Sequence, residues 1–357
     1  MKCLGNLMMF LAAAAIGFQS CGDKGTGPIG TADTSWAYLG LGNETITAVA
    51  LNAVNPNTIF TGSMSDFSGG KPGRLFRSVD GGKNWDTLIV DTGAKYSAIV
   101  IDPNSPQTVY ASPWGIMKSP DNGKTWQQKD NGMRLDWEHH VLALEMDPLN
   151  SNILYAGTGG PFGGGLYKSS NGAESWTWIG DSLSDGVTSI AIDSYNGNTI
   201  YAGTAGRGML WKTIDGGEHW NRTGLGETDL PVDVCVDPED SKRIYVGLAN
   251  NHPTDLFPFH GVWKTEDGGN TWQACNYGLP DAGGATKIVA QEKTGDIFIV
   301  FSGPTGAGIY NYQVSTAMWK RIGIDSVYDY YYSDLKVSPA GRYLFFGGKG
   351  LSRLKFE

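Results

Sequence analysis

Four carboxylates, Asp66, Glu138, Asp325 and Asp329, lie in Gly- and aromatic-rich connections between apolar runs. Two such groups facing each other across a pocket could cleave a glycosidic bond as acid and base or as acid and nucleophile. The same connections carry side chains suited to binding: Phe67, Trp114, Arg134 and Trp137, then His139, His140, Phe162 and Arg207. Further along come His252, Phe257 and His260, and finally Tyr328, Tyr330 and Tyr331. Aromatic surface with a few polar heads suits a peptide or a sugar. Adjacent His139 and His140 point to opposite sides of an extended chain, and no Cys/His spacing suggests zinc, so no metal is expected. Gly159, Gly160 and Gly163 to Gly165 are followed by no helical pattern, which makes them a permissive loop rather than a phosphate cradle.

What must position these residues is a repeat. Ser78 to Trp85 reads SVDGGKNW, and the pattern returns as SPDNGKTW (119–126), SSNGAESW (169–176), TIDGGEHW (213–220) and TEDGGNTW (265–272). Trp36 and Trp319 fall in phase, giving gaps of 49, 41, 50, 44, 52 and 47 residues along the Trp series. Each interval holds an apolar strand, a turn often opened by Asp-Pro, a second strand such as Thr199 to Thr204, and a third such as Gly261 to Lys264. The eight-residue turn and a Trp-led fourth strand close the unit. Periods of about 40–50 residues with four short strands indicate propeller blades. First strands begin near Ile46, Tyr96, Val141, Val187, Pro231, Thr286 and Asp334. The last unit supplies three strands, and Trp36 to Leu39 is its missing fourth. The expectation is therefore an all-β, seven-bladed β-propeller of four-stranded antiparallel blades, the ring closed by an N-terminal strand completing the last blade. It forms one domain, residues 32–357.

In this scheme the connections within the first hairpin and at the eight-residue turns are short and share one rim. The second-to-third strand and blade-to-blade connections share the other rim and vary in length. All the carboxylates and binding residues named above are on the variable rim, where loops on a rigid scaffold carry function. Cys235 and Cys275 fall on the innermost and outermost strands of one blade, three strand spacings of ~4.8 Å apart, and are expected as two unpaired thiols.

Ser/Thr-x-Asp-Gly-Gly-x-Thr-Trp resembles the Asp-box (BNR) repeat of sialidases, sortilin-type receptors, xyloglucan-degrading enzymes and photosystem II assembly factors. The boxes are carried by Asp80 and Trp85, Asp121 and Trp126, Asn171 and Trp176, Asp215 and Trp220, and Asp267 and Trp272. The resemblance implies a propeller and assigns these residues to turn-making. Asn171 and Ala173 depart from the pattern in the third copy. A sialidase would need three convergent arginines, yet the chain has nine Arg in all and no Arg-Ile-Pro-type motif before the first box. Xyloglucan-degrading members usually carry two such propellers. The preferred reading is a non-catalytic binding or assembly scaffold; the alternative is a glycoside hydrolase using the four carboxylates.

Lys2, the apolar run Leu7 to Phe18 and Cys21 resemble a bacterial lipoprotein signal. Residues 1–20 are then the signal peptide, Cys21 the lipidated residue and 21–31 a flexible tether. An ordinary secretory signal with an incidental Cys is the other reading. Either way the folded part is expected outside the cytoplasm, in the cell envelope. A net charge of −9 speaks against a nucleic-acid partner. A monomer without cofactor, with an unknown protein or glycan partner, completes the expectation.

Overall fold

The computed structural model describes residues 36–356, apart from 66–69, 136–139, 161–162, 181–182, 184, 206–208, 227–229, 250–260, 282, 304–305 and 324–332. Among the described residues every regular element is a strand. The first group is β1 (Ala37–Leu51), β2 (Ile59–Ser63), β3 (Gly73–Ser78) and β4 (Asp86–Asp91). Next come β5 (Ile99–Ile101), β6 (Val109–Ala111), β7 (Met117–Ser119) and β8 (Gln127–Gln128). The third group is β9 (His140–Met146), β10 (Leu154–Gly160), β11 (Gly163–Ser169) and β12 (Thr177–Trp178). The fourth is β13 (Val187–Asp193), β14 (Asn196–Thr204), β15 (Met209–Thr213) and β16 (Asn221–Arg222). The fifth is β17 (Leu230–Asp237), β18 (Asp240–Ala249), β19 (Gly261–Thr265) and β20 (Gln273–Ala274). The sixth is β21 (Gly284–Ala290), β22 (Ile297–Gly303), β23 (Gly306–Gln313) and β24 (Met318–Gly323); β25 (Asp334–Val337) and β26 (Tyr343–Lys355) end the chain.

Each group is a four-stranded antiparallel meander in chain order, with the fifth and sixth joined by one parallel bridge, Gly261 to Gly284. β26 turns back on itself at Gly350 (φ +82°), so that Phe356 N–H reaches Arg342 O at 2.9 Å. Its first part pairs with β25 and its second with the start of β1, Ala37 opposite Arg353. The two ends of the described chain therefore share a sheet. Trp36 Nε1–H adds a bond of 3.2 Å to Ile322 O, and Leu39 and Leu41 pack beside Leu351.

The core lies between consecutive sheets. Phe60 and Leu75 of the first group pack on Tyr96, Ile99 and Val109 of the second, and equivalent clusters follow around the chain. Second strands such as Ile59–Ser63 are buried along their whole length, which suits β-branched and aromatic residues. A Gly recurs in them because the next sheet's inner strand passes very close: a Cβ on Gly62 would lie 2.2 Å from Tyr96 Cβ, and one on Gly157 2.6 Å from Val187 O. β5 begins at Ile99, three residues later than the reading from Tyr96. Ser112 stands where β2, β10, β14 and β18 have Gly, and its hydroxyl accepts the N–H of Ala98 (3.0 Å).

The recurrent turns are built by side-chain hooks. Asp80 Oδ1 accepts the N–H groups of Lys83 (3.0 Å) and Asn84 (2.9 Å), and Ser78 Oγ accepts that of Gly82 (2.8 Å). Gly81 and Gly82 both have positive φ, 75° and 88°. In the third turn Gly172 and Ala173 adopt the same pair (68° and 69°), and Asn171 Oδ1 accepts Ser175 N–H at 3.0 Å. The first Gly's carbonyl is then clasped by the preceding sheet. Gly172 O receives Tyr110 OH (3.3 Å) and Lys118 Nζ (2.8 Å). Gly216 O receives Tyr155 OH (3.2 Å) and Lys168 Nζ (2.8 Å), and Gly268 O receives Tyr201 OH (3.0 Å) and Lys212 Nζ (2.7 Å). Each Lys also sits 5.5 Å over its Tyr ring.

Candidate functional site

Of the loop-face residues, Trp114, Arg134 and His140 lie among the described residues. Trp114 and His140 meet edge to face, ring centroids 5.6 Å apart at 77°, and Val141 N–H bonds Trp114 O at 2.9 Å. Arg134 is exposed, its N–H tied to Tyr167 OH at 3.2 Å. Trp114 is 39% exposed, so this corner offers aromatic surface to solvent. Phe67, Trp137, His139, Phe162, Arg207, His252, Phe257, His260, Tyr328, Tyr330 and Tyr331 lie outside the described residues, as do Asp66, Glu138, Asp325, Asp329 and Cys21. A carboxylate near β2 and β3, Glu44, is already engaged: Arg74, Lys71 (3.7 Å) and Ser63 Oγ (2.9 Å) hold it.

A second site was missed in the sequence. The first strands β1, β5, β9, β13, β17, β21 and β25 line one cavity of about 260 Å³. Ala48, Ala143, Ser189, Asp233 and Asp334, each opposite a Gly of the second strand, form one level with Lys287, which stands opposite Val300. Two residues further on, and so on the same side of each strand, stand Ala50, Val100, Glu145, Cys235 and Lys336. One wall is small and apolar; the other carries charge. The signal was a charged residue inside an apolar inner strand, as in VLALEM, PVDVCV and DLKVSP.

Two of these carboxylates also join sheets. Asp233 Oδ2 accepts Ile288 N–H (3.0 Å) and Asp334 Oδ2 accepts Val49 N–H (2.8 Å), in both cases from the next inner strand. Asp334 Oδ1 lies 4.0 Å from Lys287 Nζ. Asp334 is buried, and Asp233, Lys287, Glu145 and Lys336 are half-buried along the cavity, so water screens them poorly. Burial pushes the carboxyls of Glu145 and Asp233 above the usual range, opposed chiefly by Lys336 and Lys287 respectively. Asp334, with Glu145 and Asp233, raises the Lys336 ammonium against the cost of its burial. Cys235, half-buried and unpaired, is pushed up to about 12 by burial and by Asp233; Cys275 is buried and also free. Lys95 is lowered to about 8 by burial and by Lys287.

Among the described residues only Asp215, Glu218 and His219 bring three metal-ligating atoms together. Turn-making accounts for them: Asp215 accepts Thr213 Oγ1–H (2.6 Å) and His219 N–H (3.0 Å), and pairs with His219 Nδ1 at 2.8 Å.

No family model and no curated protein matches the chain. Solved structures do. A GH74 xyloglucanase from Xanthomonas campestris matches with TM-score 0.67 at 16% identity, over 90% of this chain and 53% of the other. An ancestral GH74 enzyme matches at 0.56 and 23%, over 71% of this chain and 34% of the other. This chain thus spans between a third and about half the length of those enzymes. YCF48 from Cyanidioschyzon merolae matches at 0.64 and 14%, over 90% of this chain and 98% of its own. At such identities the likeness speaks to fold alone, and the fold is that of a β-propeller.

Proposed function

We propose that the chain is a seven-bladed propeller, residues 32–357, closed by β1 completing the last blade, that works as a non-catalytic binding scaffold. In this reading it is exported, held to the cell envelope by lipid on Cys21, monomeric, and presents its variable loop face to a peptide segment of a protein partner. The observation that carries the reading is the match over nearly the whole of both chains with YCF48, a protein also solved bound to a D1 peptide. Closure is supported by the β1–β26 pairing and by first strands that neighbour one another in sequence order, with β25 back against β1. The exposed Trp114 against His140, and the exposed Arg134 whose N–H meets Tyr167 OH, supply aromatic and cationic groups of the kind that anchor peptides.

The glycoside hydrolase reading is kept by the GH74 match, with Asp66, Glu138, Asp325 and Asp329 as its candidates. Cross-linking and pull-down from native envelope, run beside a glycan-hydrolysis screen, separates the two. Capture of a partner that is lost in Trp114→Ala and Arg134→Ala supports the scaffold. Glycan turnover abolished by replacing one of the four carboxylates overturns it.

A further inference from the structure

We propose that the cavity among the inner strands binds a small zwitterion of amino-acid size, with its ammonium on Glu145, its carboxylate on Lys336 and its apolar part against Ala50, Ala98, Val100 and Ala143. This site is separate from the loop face. A cavity of about 260 Å³ corresponds to roughly eight waters at ~30 Å³ each. Inter-sheet bonding accounts for Asp233 and Asp334, each of which takes a backbone N–H from the next inner strand. It does not account for Glu145 or Lys336. Among the described residues neither makes a direct hydrogen bond or an ion pair within 4 Å, although Lys336 is drawn to Asp334 and to Glu145 through space, and both line the cavity from different strands, β9 and β25. Groups of both signs that face the same cavity without a direct hydrogen bond, beside an apolar wall, fit a dipolar ligand better than a purely cationic or anionic one. Burial that raises the Glu145 carboxyl is relieved when an ammonium arrives beside it.

The test is calorimetric titration of the full chain with the common free amino acids. The best binder is then compared with its amine, lacking the carboxylate, and its acid, lacking the ammonium. The expected result is one saturable site with a Kd between about 10 μM and 1 mM, as so small a ligand allows. Both single-charge analogues bind at least ~10-fold weaker, as do ligand and Glu145→Gln or Lys336→Met. No amino acid binding tighter than about 10 mM overturns the proposal. So does an analogue that matches the zwitterion, or unchanged affinity in both folded variants. Should either charge variant fail to melt cooperatively, Ala98→Leu decides the matter from the apolar wall: binding must be abolished, and retained binding refutes the site.

Discussion

At the residue scale the carboxylates divide into two chemical populations with opposite responses to pH. The turn carboxylates face solvent but accept several short bonds. Asp80 is lowered to about 2, chiefly by the backbone N–H and side chain of Asn84, and Asp121 to about 2 by Thr125. A carboxylate lowered in the folded state adds stability above its unfolded value near 3.8, and that stability is lost as pH falls towards 2. Asp80→Asn keeps one acceptor, as Asn171 does in the third turn, and removes the titration. Its melting temperature should fall less steeply than the parent's between pH 4 and 2; parallel curves would show that the turns do not set the acid limb. In the cavity the sign reverses. Glu145 is raised by burial, so its charged form opposes folding at neutral pH and the penalty fades as pH falls through its folded value to its unfolded one. Glu145→Gln should therefore melt higher than the parent at pH 8 in the absence of ligand, the gap closing near pH 4. A lower melting temperature at pH 8 would mean the charge already has a favourable partner.

At the element scale the sheets are joined by devices that repeat one unit apart. The Tyr and Lys that clasp the turns at Gly172, Gly216 and Gly268 come from the preceding unit: Tyr201 and Lys212 both reach Gly268 O. Their recurrence, as VYAS, LYAG and IYAG in second strands and Lys before the turn's Ser or Thr, is visible in the sequence, but its purpose is not, because the acceptor is backbone and belongs to the next unit. The same limit hid the cavity. Alternation along PVDVCV identifies a strand, yet only the convergence of seven such strands makes Asp233, Glu145 and Lys336 neighbours. What was legible was whatever is local: turn chemistry, strand order and the four-stranded unit. Two predictions belong here. Tyr201→Phe and Lys212→Met remove donors to one buried carbonyl, so each should cost about 0.5–1.5 kcal/mol. The double variant should depart from additivity by about 0.5 kcal/mol or more in denaturant titrations; strict additivity would mean the two bonds act independently. Deleting Trp36–Leu41 bares the second part of β26, an edge ready to pair with other chains. The truncated protein should melt lower and associate in size-exclusion chromatography, whereas an unaltered melt and elution would show that this pairing contributes little.

At the scale of the whole molecule the buried tyrosines tie stability to alkaline pH. Tyr110 is raised to about 12, and Tyr155, Tyr201, Tyr245 and Tyr312 are also raised, in every case first by burial. These residues sit at equivalent places in successive sheets or against the neighbouring sheet, with hydroxyls on the next turn for the first three. A group raised in the folded state contributes stability that is complete below its unfolded value of 10.0 and is lost as pH rises through the folded one. Lys95 acts in the other direction: lowered to about 8 from 10.5, it adds stability as pH climbs across that window. Of these two contributions, that of Lys95 grows as pH climbs from about 8 and that of the tyrosines is lost above 10.0. Tyr96 and Tyr310 are raised first by burial as well. If these seven phenols are released by one unfolding event, tyrosinate absorbance from them should appear in step with loss of strand circular dichroism. Tyr201→Phe should flatten the limb by one group's share. Tyrosinate forming gradually across pH 9–11 with the strand signal intact would mean that the hydroxyls open singly, and that the sheets do not unfold as one body.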